Sequence, residues 1–582
     1  MASYGVLALV PPLLAIVLAM TTRQVLVSLF AGVWAGALVV AQWNPIAATA
    51  LTMDWLVAVV RTPFNTKFIV LILFMGAGAA FIYRSGGILA LERWIGSRIS
   101  TARESQILTW LIGVFIFFDS YTSTVVTGNA TRELAQDADS SREMHAYVLD
   151  STTAPVTTFG PVSNWIGYQV SMIIAGLEAA RVSAAELGTT PFGLFLQSIP
   201  WNIYCFMAFF MVGFITITQR FFGPMLDAEW RARTTGDTIA DGATPLSDVS
   251  NDVGDPSRAN PSLLNFFGPI AVLLAVGLGS MWYLGGGYKP GVDIATALQE
   301  TDVAMGLLHG AFAFMVSGFV GALAYGTMDL EGATDTIVDG FKTMNIALAI
   351  IVLAWGIGMA AEKVGTADFI VTTLVGSGVP AGFLPLLVFL AAMFVAFTTG
   401  TSWGTMAILT PVAIPLGYNL AGAAVLPVLV GVLFGGAIWG DHSSPISDTT
   451  VMSSIFAGSD HIDHVTTQIP FAATAAGVTI VMLVLYAVGL RSPVVALPLA
   501  TVLTLGAVVV LNKLDTRRKG LPEVMPRADA VDEADREAAA NGTLSLPAAA
   551  TSYDYLSLVP VAAVGIVLLY LSLVFVFAAL GG

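Results

Sequence analysis

The 582-residue chain is 56% hydrophobic and only 11% charged, with a mean hydropathy of +0.81. This excludes an ordinary soluble domain and reads as a membrane protein of many spans. Its single cysteine, Cys205, excludes an intrachain disulfide and a cysteine-based metal site, and its net charge of −15 gathers mainly in polar loops.

Apolar runs of about 20 residues mark membrane spans. They fall near 4–21, 25–42, 67–83, 193–219, 263–284, 302–325, 344–361, 470–490, 493–511 and 555–579. The first run has no basic flank and no small-residue cleavage site, so it is expected to be a span rather than a signal peptide. Four further apolar segments are interrupted by polar or Pro/Gly clusters: 106–128, 148–175, 382–420 and 424–456. The loops 220–262 and 512–553 carry much of the acid and read as solvated, mobile linkers. Asp460-His-Ile-Asp-His464 reads as another solvated loop, with a pH sensor or a metal site as the alternatives.

Threading these segments with 106–128 and 382–420 as re-entrant hairpins gives every loop a side. One side receives eighteen of the 24 Lys and Arg residues and the other six, so the rich side is expected to be cytoplasmic and both termini outside. The first hairpin then enters from the cytoplasm and the second from outside, which makes the two halves inverted copies. Local likeness supports this. Asp150-Ser-Thr-Thr-Ala-Pro155 parallels Asp441-His-Ser-Ser-Pro445, and Phe118-Asp119-Ser-Tyr-Thr-Ser123 parallels Phe397-Thr-Thr-Gly-Thr-Ser402.

The most informative stretch is Gly440-Asp-His-Ser-Ser-Pro-Ile-Ser-Asp-Thr-Thr450, polar sequence hemmed in by apolar runs. A charged side chain at membrane depth is expensive and survives where it lines a cavity or binds an ion. Pro445 lacks an N–H and disfavours helix at Ser444, so the helix should break there, and Pro155 should break the first segment likewise. Broken helices expose carbonyls to a small cation, and Asp, Ser and Thr add the remaining hard oxygens.

At these stretches the sequence resembles the NhaC-type sodium/proton antiporter family of the ion transporter superfamily. The matching residues are Phe118-Asp119, Ser141-Arg-Glu143, Asp150 to Val156, Pro161-Val-Ser-Asn-Trp165, Thr399 to Thr405 and Gly440 to Thr450. The chain departs from the family in having Ser443 where Cys is common and Ser120 where a second acid often follows Asp119. The resemblance implies an all-α polytopic membrane protein of two inverted repeats, each with a re-entrant hairpin and a broken transmembrane helix, plus scaffold helices. It implies a homodimer with a fixed scaffold and a moving, elevator-like transport domain.

The expected activity is exchange of Na+ for H+ across the cytoplasmic membrane, with no cofactor and no nucleic-acid partner. Asp150, Asp441 and Asp448 are the expected Na+ and proton carriers. Ser151, Thr152, Thr153, Ser443, Ser444 and Thr449 are expected hydroxyl or carbonyl donors. Asp119 and Thr122 in the first hairpin, with Thr399, Thr401 and Ser402 in the second, would close the site, and Asn164 would add a neutral ligand. His442 is read as a proton carrier or as a group that orients Asp441. The alternative is a Na+- or H+-coupled exchanger of a small organic acid or amino acid. An enzyme is not expected, since no nucleotide-binding loop is present.

Overall fold

A computed structural model describes residues 4–22, 24–87, 89–90, 99, 101–117, 120–160, 163–182, 184–245, 261–292, 297, 301–366, 369, 380–527 and 531. Among the described residues every regular element is helical. Among the described residues eight helices are long and apolar enough to cross a membrane, or up to ten if two bent pairs are each one span. The chain is therefore an all-α multi-pass membrane protein. The run 555–579 lies outside the described residues.

The chain opens with α1 (Val10–Thr22), α2 (Val25–Val40), α3 (Pro45–Arg61) and α4 (Pro63–Arg84). Apolar-run length alone does not predict α3, because Asp54 interrupts it; it turns from α2 by 120°. Asn44 starts it by accepting from the N–H groups of Ile46 and Ala47. The first hairpin is α5 (Ala102–Phe115) and α6 (Ser120–Asp137), opened by a Thr101/Glu104 capping box. Then come α7 (Arg142–Phe159), α8 (Asn164–Ala180), the short α9 (Ala184–Leu187), α10 (Pro191–Ser198), α11 (Ile203–Thr218) and α12 (Pro224–Thr235). The predicted span 193–219 is thus two helices, bent by 48°.

The next group is α13 (Leu263–Leu284), α14 (Val303–Ala324), the amphipathic α15 (Leu330–Thr343) and α16 (Asn345–Val364). The second hairpin follows as α17 (Leu384–Thr399) and α18 (Ser402–Ala421). Each of its arms is long enough to cross by itself, which still returns the chain to its side of entry. The last described helices are α19 (Leu426–Ser443), α20 (Asp448–Ala457), α21 (His461–Ala487) and α22 (Pro493–Lys519).

Three expectations need correction. The helix does break at Pro445, between α19 and α20, but α7 runs through Pro155 to Phe159 and the chain breaks only before α8. Burial of nearly every residue of α7 holds the turn that Pro155 weakens. The acidic loops are not simply solvated. In 220–262, α12 is packed and its Glu229 and Arg233 form a fully buried ion pair at 2.5 Å. In 512–553, Met525 is buried and its N–H donates to the Gln219 carbonyl at 3.0 Å. Finally, Asp460 to His464 is no solvated loop. Asp460 caps α21, and both histidines are buried.

Two apolar cores form. One is built mainly by α7, α8, α10–α12, α17–α19, α21 and α22. The other is built mainly by α1–α4, α13, α14 and α16, joined by parts of α6 and α20. Packing is reciprocal between hairpins and segments: α5 lies on α7 as α17 lies on α19, and α6 lies on α20 as α18 lies on α8. The break at 444–447 sits on the seam between the cores, since Ile438 belongs to the first and Ile446 to the second.

Candidate cation site

The second hairpin and the broken helix meet backbone to backbone. Gly440 lets α19 lie directly on α17, because a Cβ there would fall 2.4 Å from the Phe397 nitrogen. The hairpin tip turns at Gly400 with φ +68°, and a Cβ there would lie 2.4 Å from the Ile446 carbonyl oxygen. Ser444 Oγ locks the two together by donating to the Phe397 carbonyl at 2.7 Å. Thr401 opens α18 by accepting from the Gly404 N–H at 3.3 Å.

This junction fixes Asp441. Ser402 Oγ donates to its Oδ2 at 2.7 Å and Ser447 Oγ to its Oδ1 at 2.5 Å. Ser447 also lies 3.0 Å from Thr449 Oγ1. Asp448, at the start of α20, accepts from the Tyr121 hydroxyl of α6 at 3.1 Å. Asp441, Asp448, Thr449 and the tip residues Thr399 to Trp403 line one side of a cavity of about 290 Å³. The other side comes from the second core, through Val59, Asn65, Trp355, Gly358, Met359 and Glu362. Asp441 is almost fully buried, whereas Glu362 is exposed. Among the described residues neither Lys nor Arg lines the space. The result is two carboxylates and several hydroxyls beside two interruptions of helical backbone, a donor set of hard oxygens suited to a small cation.

Other expected residues lie elsewhere. Asp150 does not line this cavity. It sits mid-helix in α7, fully buried, accepting from Gln468 Nε2 at 2.8 Å and Ser453 Oγ at 3.3 Å. His442 does not orient Asp441. Its Nε2 meets Ser151 Oγ at 3.1 Å and its Nδ1 meets the Tyr204 hydroxyl at 2.8 Å. Three threonines spend their hydroxyls on their own helices: Thr152 on Val148 O at 2.7 Å, Thr153 on Asp150 O at 3.1 Å and Thr399 on Val395 O at 2.7 Å. Ser443 Oγ is buried and makes no hydrogen bond among the described residues. Asp119 lies outside the described residues, and Thr122 and Asn164 are described by backbone only, in the first turns of α6 and α8. Among the described residues no group of three or more His, Cys, Asp or Glu is set to hold a metal ion.

The sequence reading missed Ser447, Tyr121, Trp355 and Glu362, and with them Gln468, Ser453 and Ser454. For α16 a signal existed. Trp355, Gly358, Met359 and Glu362 stand at i, i+3, i+4 and i+7, one helical face.

The sequence matches the Na+/H+ antiporter family over residues 156–488, which takes in both sides of the broken helix. An uncharacterized protein of Haemophilus influenzae is 31% identical over 485 residues, covering 82% of this chain and 90% of its own. The malate-2H+/Na+-lactate antiporter of Bacillus subtilis is 29% identical over 193 residues, 32% of this chain and 38% of its own. The arginine/ornithine antiporter ArcD of Halobacterium salinarum is 30% identical over 198 residues, 34% of this chain and 38% of its own. The solved structure of MtrF from Neisseria gonorrhoeae, described with a class of antimetabolite efflux pumps, covers 82% of this chain and 85% of its own at 14% identity, with a TM-score of 0.29, too weak a likeness to bear on the fold. On the extent of the family match and of the Haemophilus relative, this chain belongs to the Na+/H+ antiporter family.

Proposed function

We propose that the chain exchanges Na+ for H+ across the cytoplasmic membrane by alternating access, with Asp441 and Asp448 as the cation-binding carboxylates. The observation that carries this reading is the acid-lined cavity at the seam, where Asp441 receives two hydroxyl donors beside the break at 444–447. Ser402, Ser447 and Thr449 complete the donor set. Moving the second hairpin together with α19 and α20 past α16, in elevator fashion, would carry those residues relative to α16 and so change which side the cavity faces. The two halves are proposed to be inverted repeats, supported by the reciprocal packing of α6 on α20 and of α18 on α8. A homodimer is part of the same proposal.

One observation favours a second reading. A cavity of about 290 Å³ exceeds what a bare ion fills; at about 30 Å³ per water it would hold roughly ten waters. A small organic solute would fit. With Asp441, Asp448 and Glu362 facing it and neither Lys nor Arg among the described residues of its lining, the space suits a cationic amino acid and opposes a dicarboxylate.

Proteoliposomes holding a pH dye separate these readings. With an acidic lumen, external Na+ should drive proton efflux, and Asp441→Asn should abolish it. Efflux driven by arginine or ornithine but not by Na+ would replace the first reading with the second.

A further inference from the structure

Behind the break, Gln468 of α21 fixes the hydrogens of a buried histidine pair. Its Nε2 donates to Asp150 Oδ2 at 2.8 Å and also to the His442 carbonyl. Turning the amide over would aim its oxygen at two acceptors, so Oε1 must be the atom that meets His464 Nε2 at 2.8 Å. His464 Nε2 therefore carries a hydrogen. His461 Nε2 lies 2.9 Å from the Pro445 carbonyl, which can only accept, so it carries one too. In a neutral imidazole the remaining nitrogen is then a bare acceptor.

Both bare nitrogens meet one hydroxyl. Ser454 Oγ is 3.0 Å from His461 Nδ1, 2.8 Å from His464 Nδ1 and 2.8 Å from the Thr450 carbonyl. A single O–H cannot serve two nitrogens and a carbonyl. One added proton resolves the conflict between the rings: His464 Nδ1–H donates to Ser454 Oγ, and Ser454 donates to His461 Nδ1. A second would set two buried cations across one hydroxyl.

We propose that His461 and His464, bridged by Ser454, are the proton-carrying site of the exchange, separate from the carboxylates that hold the cation. This rests on reading the protein as a cation/proton exchanger. The proton comes from water and forms the Nδ1–H bond of His464; on release it returns to water. The titratable and charged groups around the pair are Asp150 of α7, whose Oδ2 is 3.9 Å from His464 Nε2, His442 at the end of α19, Asp460 at the N-cap of α21 and Asp463 in its first turn. At the C-terminal end of α20, Arg142 Nη1 donates to the Ala457 carbonyl at 2.9 Å, and Arg132 and Arg142 approach Gly458. Asp150 supplies a carboxylate beside His464.

The pair is linked to the cation site through four residues. His461 holds Pro445 O, and Ser447 of the same break donates to Asp441. A proton on the pair and a cation in the cavity are like charges on opposite faces of one break, so each disfavours the other. Exchange then needs no shared carboxylate.

Two measurements test this. In wild-type protein in nanodiscs, the ring-nitrogen NMR shifts of His461 and His464 are followed between about pH 5 and pH 9, with and without Na+. One imidazolium that disappears when Na+ is added is expected; two imidazoles neutral throughout, or a charge indifferent to Na+, overturn the proposal. In proteoliposomes, His464→Gln and Ser454→Ala are compared with wild type for radiolabelled Na+ exchange and for Na+-driven proton flux. Proton flux should fall by about tenfold or more while Na+/Na+ exchange stays within about twofold. Coupled proton flux kept in both variants overturns the proposal, and variants that do not fold leave the wild-type spectra to decide. Absence of Na+-driven proton flux in wild type would instead defeat the exchanger reading, which the spectra do not depend on.

Discussion

Replacing Gly400 by alanine tests whether the hairpin tip and the broken helix form one site. The added Cβ would sit 2.4 Å from the Ile446 carbonyl oxygen, about 1 Å inside ordinary contact, and both partners are backbone. Two hydrogen bonds span the junction, Ser444 Oγ to Phe397 O at 2.7 Å and Ser402 Oγ to Asp441 Oδ2 at 2.7 Å. A shift of about 1 Å breaks both, at about 1 kcal/mol for the neutral bond and about 1.5–3 kcal/mol for the one to the carboxylate. The left-handed backbone adds about 1–2 kcal/mol, for a total of about 3.5–6 kcal/mol. The share at Asp441 corresponds to a loss of about 10- to 100-fold in Na+ affinity. Gly520 is the matched control, since it has φ 70° and ψ 24° against 68° and 24° at Gly400, with nothing within 4 Å of an added Cβ. Gly520→Ala should lose only the backbone increment and keep its Na+ dependence. Both variants are assayed by thermal unfolding in detergent and by the Na+ dependence of proton flux in vesicles. Gly400→Ala with a half-saturating Na+ concentration within about twofold of wild type would refute the reasoning.

Other consequences follow from the same geometry. Tyr121→Phe deletes the hydroxyl donated to Asp448 at 3.1 Å and should weaken Na+ binding by about 10-fold, read as a raised half-saturating concentration with unchanged protein yield. Arg233→Met leaves Glu229 without its counter-charge in a fully buried site, so folded protein recovered in gel filtration should drop sharply, by an effect of about 3–5 kcal/mol; near-normal recovery would contradict the role given to that pair. Arg220 donates to Glu523 at 3.0 Å and holds its carboxyl below the ordinary carboxylate range. That small contribution is present above the unfolded value and lost as pH falls through the lowered one, so cleavage by an acid-tolerant protease within 520–527 should rise in acid and be largely independent of pH in Glu523→Gln.

Much of the architecture was legible because membrane spans announce themselves by length and apolarity. The polar stretch around Asp441 was legible because nothing but a cavity or an ion explains it at membrane depth. Pro445 marked its break correctly, since the freed carbonyls there face polar partners such as His461 Nε2. Pro155 misled, because tight burial on all sides of α7 holds a helix that local rules would end. Asp150 was drawn toward the cation site by the likeness of its motif to that of Asp441, and His442 by adjacency in sequence. In space, the face of α7 that carries Asp150 meets α20 and α21, and His442 points at Ser151 and Tyr204. The histidines of α21 looked solvated because the charges of Asp460 and Asp463 flank them. The fold uses Asp460 as a cap and turns His461 and His464 inward. Partners more than 300 residues apart, such as Tyr121 with Asp448, leave no local signal at all.

The most direct test of the central claim is to count the protons released when Na+ binds. Purified protein in weakly buffered detergent solution is titrated with NaCl, with choline chloride as the blank and Asp441→Asn as the control. Competition between Na+ and H+ predicts proton release that saturates with Na+ and vanishes in the variant. Na+ binding without proton release, or release that persists in Asp441→Asn, would contradict the account.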